Sequence, residues 1–296
     1  MEIDRKISFY EKRDFGDKIN VTFAFLRQNF IPLGKSILYI AGPFILLLAI
    51  VSGIYQATIL NTDGGAFDFS AVMTQGSLAT FLSIFVSALL ITVVYAYLVL
   101  YVERNDYQHI SPSDVWDTVK SNYLSMALSI FVYSILVGIG FMLLIIPGFI
   151  LLAALSFLFI IQMKERISFG DAFSRCFKLV SDNYLSTLGL IFVMSILIFI
   201  INMIVTLPFT IALGVPAYFS LSATTALSDA DGLVKVMYIV LQIVSALVSH
   251  LLYAILLVAV AFQYANLVEK KEAAGLLKSV ETIGTPQEAD DEDETY

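Results

Sequence analysis

The sequence predicts an all-α protein: a polytopic α-helical membrane protein whose six transmembrane helices form three parallel hairpin repeats. Each repeat is preceded by an amphipathic interfacial helix on the cytoplasmic side. Three observations carry that expectation. First, the stretches 36–60, 77–102, 121–163, 183–228 and 236–268 contain no charged residue. A charge at bilayer depth is costly, so uncharged and mostly apolar runs of at least about 18 residues read as spans. Second, 58% of the residues are hydrophobic and 14% charged, against about 45–50% and about 25% in soluble domains. The mean hydropathy of +0.84 agrees. Third, 16 of the 17 basic residues fall in 1–35, 103–120, 164–182 and 269–296. Positive residues collect on the cytoplasmic side, so both termini are expected there, with 61–76 and 208–235 outside.

Along the chain, seven basic residues in 1–35 precede the first apolar run. That run is span length, not the 7–15 residues of a signal h-region, so no secretory leader is expected. Within this segment Phe15, Ile19, Phe23, Leu26 and Phe30 form an apolar stripe at helical spacing. The span 36–60 follows, and 77–102 returns. Tyr95, Tyr97 and Tyr101 approach the inner boundary of that return. Ser111-Pro112-Ser113-Asp114 reads as a helix start, with N-cap, proline at the first helical position and acid at the third. The run 121–163 is long enough for two crossings, near 123–146 and 149–165, with Pro147-Gly148 as the turn. In 168–182, Phe169, Phe173, Cys176, Phe177 and Val180 share a face, and Ser168 with Asp171 resembles a capping pair. Pro208 ends a span at 184–207. The apolar but broken segment 208–233 is either a helix on the outer face or a re-entrant piece, and the last span lies near 236–268. The membrane domain is thus 1–271. The remainder, 272–296, is an acidic disordered cytoplasmic tail, because 288–294 alone holds six of the 25 acidic residues.

An internal repeat underlies the spans. Shifted by 61 positions, 122–147 falls on 183–208 with 13 identities in 26, among them Asn122-Tyr123-Leu124-Ser125 on Asn183-Tyr184-Leu185-Ser186 and Pro147 on Pro208. A third copy begins at Asn29-Phe30, and Phe15-Gly16-Asp17 echoes Phe169-Gly170-Asp171. The repeat units are approximately 15–103, 111–165 and 168–268. Asn29, Asn122 and Asn183 are expected at the corners, capping the incoming span while the neighbouring aromatic anchors at headgroup level.

The residues Ile146-Pro147-Gly148, the apolar span after them, Lys164-Glu165-Arg166, and Asp171 through Val180 carry a resemblance. They resemble a set of bacterial membrane proteins that includes the membrane domain of some glycerophosphodiester phosphodiesterases and related stand-alone six-span families. The pattern is a Pro-Gly turn, a span, a charged exit with Glu, and an amphipathic helix of A-x-x-R-S/C-x-x-L type. The match covers about 120–205, and the segments 267–272 and 275–277 are similar to Bacteroidetes members. The resemblance implies a bacterial inner-membrane protein of unassigned role. Phosphodiesterase activity is not implied, since that activity resides in a separate soluble barrel.

Catalytic chemistry finds few candidates. Cys176 is the only cysteine, so no intramolecular disulfide forms, and the two histidines are His109 and His250. No metal-binding HExxH, nucleophile elbow, P-loop or dinucleotide fingerprint occurs. Neither a cofactor nor an enzyme activity is therefore expected, nor a nucleic-acid partner. His250 is the ionisable group at membrane depth, and Gln242, Ser245, Ser249 and His250 make a polar patch in the last span. That patch either lines a small pathway or hydrogen-bonds a neighbouring helix, and Gln56 and Asn202 take the second reading. The expected role is a non-catalytic protein that organises or assists envelope components, with the bilayer and other membrane proteins as partners. The alternative is a transporter or channel for an apolar or lipid-like solute.

Overall fold

The computed structural model describes residues 6–60, 69–214 and 232–273. Among them every regular element is helical: α1 (Phe15–Ile40), α2 (Gly42–Leu60), α3 (Phe69–Glu103), α4 (Pro112–Leu143), α5 (Ile145–Leu155), α6 (Leu158–Glu165), α7 (Phe169–Val180), α8 (Tyr184–Phe209) and α9 (Gly232–Val268). Short 3-10 or π-helical turns occur at Tyr107–His109, Thr210–Gly214 and Glu269–Ala273. Five segments are long and apolar enough to cross a membrane, and Phe15–Ile40 with Gly42–Gly53, a pair bent by 59°, brings the number to six where it is counted as one span. The chain is thus a multi-pass membrane protein. Of the expected outer segments, 61–68 and 215–231 lie outside the described residues, as does the acidic tail from 274 onward.

Helix α3 is the axis of the bundle. Its apolar window is 72% buried, against 11% for the more apolar α8, and residues 88–99 are all enclosed. Tyr95, Tyr97 and Tyr101, near the C-terminus of α3, are interior residues, each at most 2% exposed.

The ends of α3, α6 and α9 and the starts of α4 and α8 gather at one end of the bundle, together with α7. Basic side chains tie them. Lys6 donates to the Val102 and Arg104 carbonyls at 2.9 Å each, closing the C-terminus of α3. Glu103 accepts from Lys164 and Arg166, both at 3.0 Å. Lys271 donates to the carbonyls of Lys178 (2.7 Å) and Ser181 (2.9 Å). We call this the charged end.

Three features refine the sequence reading. The first concerns α1, which buries Lys18, Thr22, Phe25, Asn29, Leu33, Ser36 and Ile37 within the protein and leaves much of its aromatic stripe outside. Phe30 is 72% exposed, Phe15 is exposed, and Ile19 and Phe23 are half-buried against Leu190 and Met194 of α8. Beside a bilayer an apolar face is at no disadvantage outside, whereas polar groups gain partners inside the protein. Thr22 donates to the Lys18 carbonyl, and Lys18 reaches Ser186 at 3.3 Å.

The second concerns the asparagines. Asn29 and Asn122 lie within unbroken helices. Asn29 donates to the Phe25 carbonyl (3.0 Å) and accepts from the Tyr97 hydroxyl (2.8 Å), while Asn122 donates to the Thr118 carbonyl (2.8 Å). An amide that bonds back one turn sits comfortably in a continuing helix, so neither residue makes a corner. The chain bends at Ala41 instead. The amphipathic segment of the second expected unit runs on within α4, that of the first belongs to α1 and ends at the bend, and α7 is a separate short helix. Asn183 does sit at the start of α8, but without a side-chain capping bond. It donates to the Ser181 carbonyl and accepts from Lys270.

The third concerns the reversal between α4 and α5, which occurs at the single extended residue Leu144 (φ −157°, ψ 145°), ahead of Pro147-Gly148. Pro147 instead occupies the first turn of α5, where helix N–H groups lack intrahelical partners anyway. Gly148 serves close approach: a Cβ there would lie 2.5 Å from the Phe141 ring, and one on Gly140 would lie 3.2 Å from the Gly148 backbone. The ring pairs Phe141–Phe149 (5.2 Å) and Tyr133–Phe159 (5.4 Å) then hold the two segments together.

Candidate functional site

Two cavities lie along a seam formed by α3, α4 and the α5–α6 segment. The larger, about 610 Å³, opens at the charged end and is lined by Val99, Arg104, Asp114, Asp117, Thr118, Ser121, Asn122, Ser125, Met126, Gln162, Met163, Arg166 and Ile167. The smaller, about 280 Å³, is reached one helical turn farther from that end. Its polar lining consists of hydroxyls, from Ser83, Ser87, Tyr95, Tyr133, Ser134, Ser156 and Tyr253, set among Ile, Leu, Phe and Val side chains. On each of three helices the two linings are four residues apart: Val99 and Tyr95, Met126 and Ile130, Met163 and Phe159. Four residues rise about 6 Å along a helix.

The sequence builds the larger cavity through the start of α4. Ser111 accepts from the Asp114 N–H at 3.3 Å, and the Asp114 carboxylate accepts from the Ser111 N–H at 2.9 Å, a complete capping box with Pro112 at the first position. Fixed in this way, the first turns of α4 present Asp114, Asp117, Thr118, Ser121, Asn122 and Ser125, spaced by three and four, to the cavity. Arg104 pairs with Asp114 at 3.0 Å, and Lys120 pairs with Asp117 at 2.7 Å. Arg166 ends α6 in the left-handed conformation (φ 55°, ψ 39°) and pairs with Glu103 at 3.0 Å.

Two buried polar side chains in this seam lack partners among the described residues. Both amide atoms of Gln162 and the hydroxyl of Tyr95 make no hydrogen bond, although Gln162 is 6% and Tyr95 0% exposed. A buried unmade hydrogen bond costs about 1–3 kcal/mol, and such groups call for a ligand, water or ion to complete them. Gln162 lines the larger cavity and Tyr95 the smaller.

Of the patch expected in the last span, Ser249 accepts from Asn202 of α8 at 3.3 Å, and His250 Nδ1 lies 2.7 Å from the Ala246 carbonyl of its own helix. Gln242 and Ser245 are half-buried in α9. None of the four lines either cavity described above, and the Gln56 side chain lies outside the described residues. Sequence reading points to Asp114 as part of a helix start and to Asn122 as a corner, but not to Gln162, Asp117, Thr118 or Ser121 as lining a site. A signal for Gln162 was available: Gln162 and Asn122 are the only amides of the run 121–163.

Among the described residues no group of three or more His, Cys, Asp or Glu side chains converges as metal ligands. Cys176 is fully buried beneath α7, and burial, with Glu165 nearby, pushes its thiol up to about 12. Maleimide at neutral pH is therefore expected to leave the folded protein unlabelled and to label it after denaturation. Equal labelling in both states, read by mass shift, would show that α7 is not seated. Comparison of the chain with protein-family models, curated proteins and solved structures found no match. The resemblance drawn from 146–180 is carried by its residues alone.

Proposed function

We propose that this chain is a non-catalytic inner-membrane protein that holds an amphipathic, lipid-like molecule along the α3/α4/α6 seam. One observation carries the reading: a polar cavity at the charged end stands one turn from a hydroxyl-lined apolar cavity that shares its three helices and is completed by Ile191 of α8 and by Tyr253, Leu256, Leu257 and Val260 of α9. An amphiphile has this division of polarity, and pockets of this kind combine apolar walls with a few placed polar groups. The unpartnered Tyr95 hydroxyl offers a hydrogen bond at the junction. A role in organising other envelope proteins rests on no comparable feature, so the lipid-like ligand is preferred.

In this reading the charged end faces the bacterial cytosol, with both termini there and six crossings. The positive-inside bias of 16 in 17 basic residues supports that side. The three look-alike sequence units support descent from one duplicated hairpin.

Reconstituted protein illuminated with a diazirine-bearing phospholipid provides the test. Crosslinks are expected at Ser134, Ser156 and neighbouring seam residues, above the level on the outward residues Phe192, Phe199 and Ile204 of α8, which are exposed to bulk lipid. Uniform labelling, with no enrichment at the seam, overturns the proposal.

A further inference from the structure

We propose that the cavity at the charged end is a headgroup site for a zwitterionic phospholipid, its phosphate directed to Arg104 and Arg166 and its ammonium to Asp117. The inference rests on the seam reading above and names the ligand's polar part. Gln162 is the first support. It is 6% exposed, lines the cavity, and has neither amide atom bonded among the described residues. An amide offers both donors and an acceptor, so it can serve a phosphate oxygen and an ammonium alike.

The charges lining the cavity give the second support. Two guanidiniums and two carboxylates line it, with Arg104 and Arg166 contributed from the ends of α3 and α6 and Asp114 and Asp117 from α4. A purely anionic head would meet Asp117, and a purely cationic one would meet both arginines. A head bearing both signs is satisfied on both walls. The arginine fork suits phosphate geometry. Arg166 is mostly exposed, as is Asp117, and exposed ion pairs are weak enough to rearrange; Arg104 keeps Asp114 at 3.0 Å through one nitrogen and has further guanidinium N–H groups to donate. The third support is position: on each of the three shared helices the hydroxyl-lined cavity begins four residues deeper, on the side where the glycerol and chains of a lipid bound by its head would lie. The volume of about 610 Å³ is ordinary for a small-molecule site.

The full chain in maltoside micelles allows a direct measurement, because Trp116 is the only tryptophan and sits at the start of the second turn of α4, between Asp114 and Asp117. Titration of its fluorescence with dihexanoyl-phosphatidylethanolamine is expected to saturate. Dihexanoyl-phosphatidylglycerol and chain-free phosphoethanolamine should each bind at least tenfold more weakly. Gln162→Leu should weaken phosphatidylethanolamine at least tenfold while raising the melting temperature, since it deletes an unpartnered amide; a purely structural Gln162 would not couple those two changes. Asp117→Asn should erase the preference over phosphatidylglycerol. Equal or tighter binding of phosphatidylglycerol by the unaltered chain overturns the zwitterion assignment, and equal binding of phosphoethanolamine assigns the site to a soluble phosphate ester instead. If phosphatidylethanolamine binding survives Gln162→Leu and Asp117→Asn yet falls in Tyr95→Phe, the headgroup site is refuted and the seam reading stands. Absence of binding by any amphiphile removes both.

Discussion

Replacing Phe25 by alanine is expected to destabilise the folded protein by about 3–5 kcal/mol, the usual loss for a large aromatic removed from a packed interior. Phe25 is 1% exposed and joins three helices at the charged end. Its ring lies 4.9 Å from Tyr101 and 6.5 Å from Tyr97 of α3, and 5.9 Å from Phe262 of α9. The N-terminal strap is built on the same cluster, since Phe9 packs against Phe262 at 5.6 Å and the Ile7 N–H donates to the Tyr101 hydroxyl. Losing the Phe25 ring therefore loosens α1 from the end of α3 that carries Arg104. The control is Phe30→Ala on the same helix, expected within about 0.5 kcal/mol because that ring is 72% exposed. Unfolding in a denaturing-detergent titration distinguishes them. Equal losses would mean that Phe30 is packed as closely as Phe25.

A second large effect is expected at Glu165. Its carboxylate accepts from Arg175 Nε at 3.1 Å and from the Tyr264 hydroxyl at 2.8 Å, and Arg175 also reaches Glu272. One side chain thereby couples α6, α7 and α9. Glu165→Ala takes the carboxylate acceptor from the Tyr264 hydroxyl, on a residue 1% exposed, and leaves it only the Tyr10 hydroxyl among its described partners. A fully buried pair broken in this way costs about 3–5 kcal/mol. Here the Glu165 side chain is 23% and that of Arg175 32% exposed, so solvent screening reduces the expected loss to about 2–3 kcal/mol. Tyr264→Phe should cost less alone, and the double variant should lose less than the sum of the two. Strict additivity in a double-mutant cycle would show that the hydrogen bond contributes nothing.

The spans were legible in the sequence because lipid imposes one strong rule, that backbone polar groups be satisfied within the segment and charges be kept out. Helix starts were legible as well: Ser111 and Ser168 both accept a hydrogen bond from the N–H three residues on, as their spacing implies. The same rule hid the candidate site. Inside a charge-free run, Gln162 and Tyr95 look like ordinary members of a span, and their significance comes from having no partner, which depends on what α3 and α4 place opposite them. Pro147-Gly148 misled for a related reason. A glycine that permits a turn and one that permits close contact are the same residue, and the Phe141 ring selects the second role.

The twin Asn-Tyr-Leu-Ser segments separate what each level decided. Sequence alone determined that 122–125 and 183–186 enter apolar, span-length helices, since hydropathy and length suffice for that. It did not determine whether a helix passes through the asparagine or begins at it. At 122 the helix continues. At 183 it breaks, with Asp182 in the left-handed region (φ 66°), and Lys271 from beyond the end of α9 takes the Lys178 and Ser181 carbonyls that the ending helix leaves open. That lysine is distant in sequence, and only the packing of α9 against α7 and α8 brings its charge to those carbonyls. A local pattern sets where helix is favourable, whereas the partners of its unpaired backbone groups set where it stops.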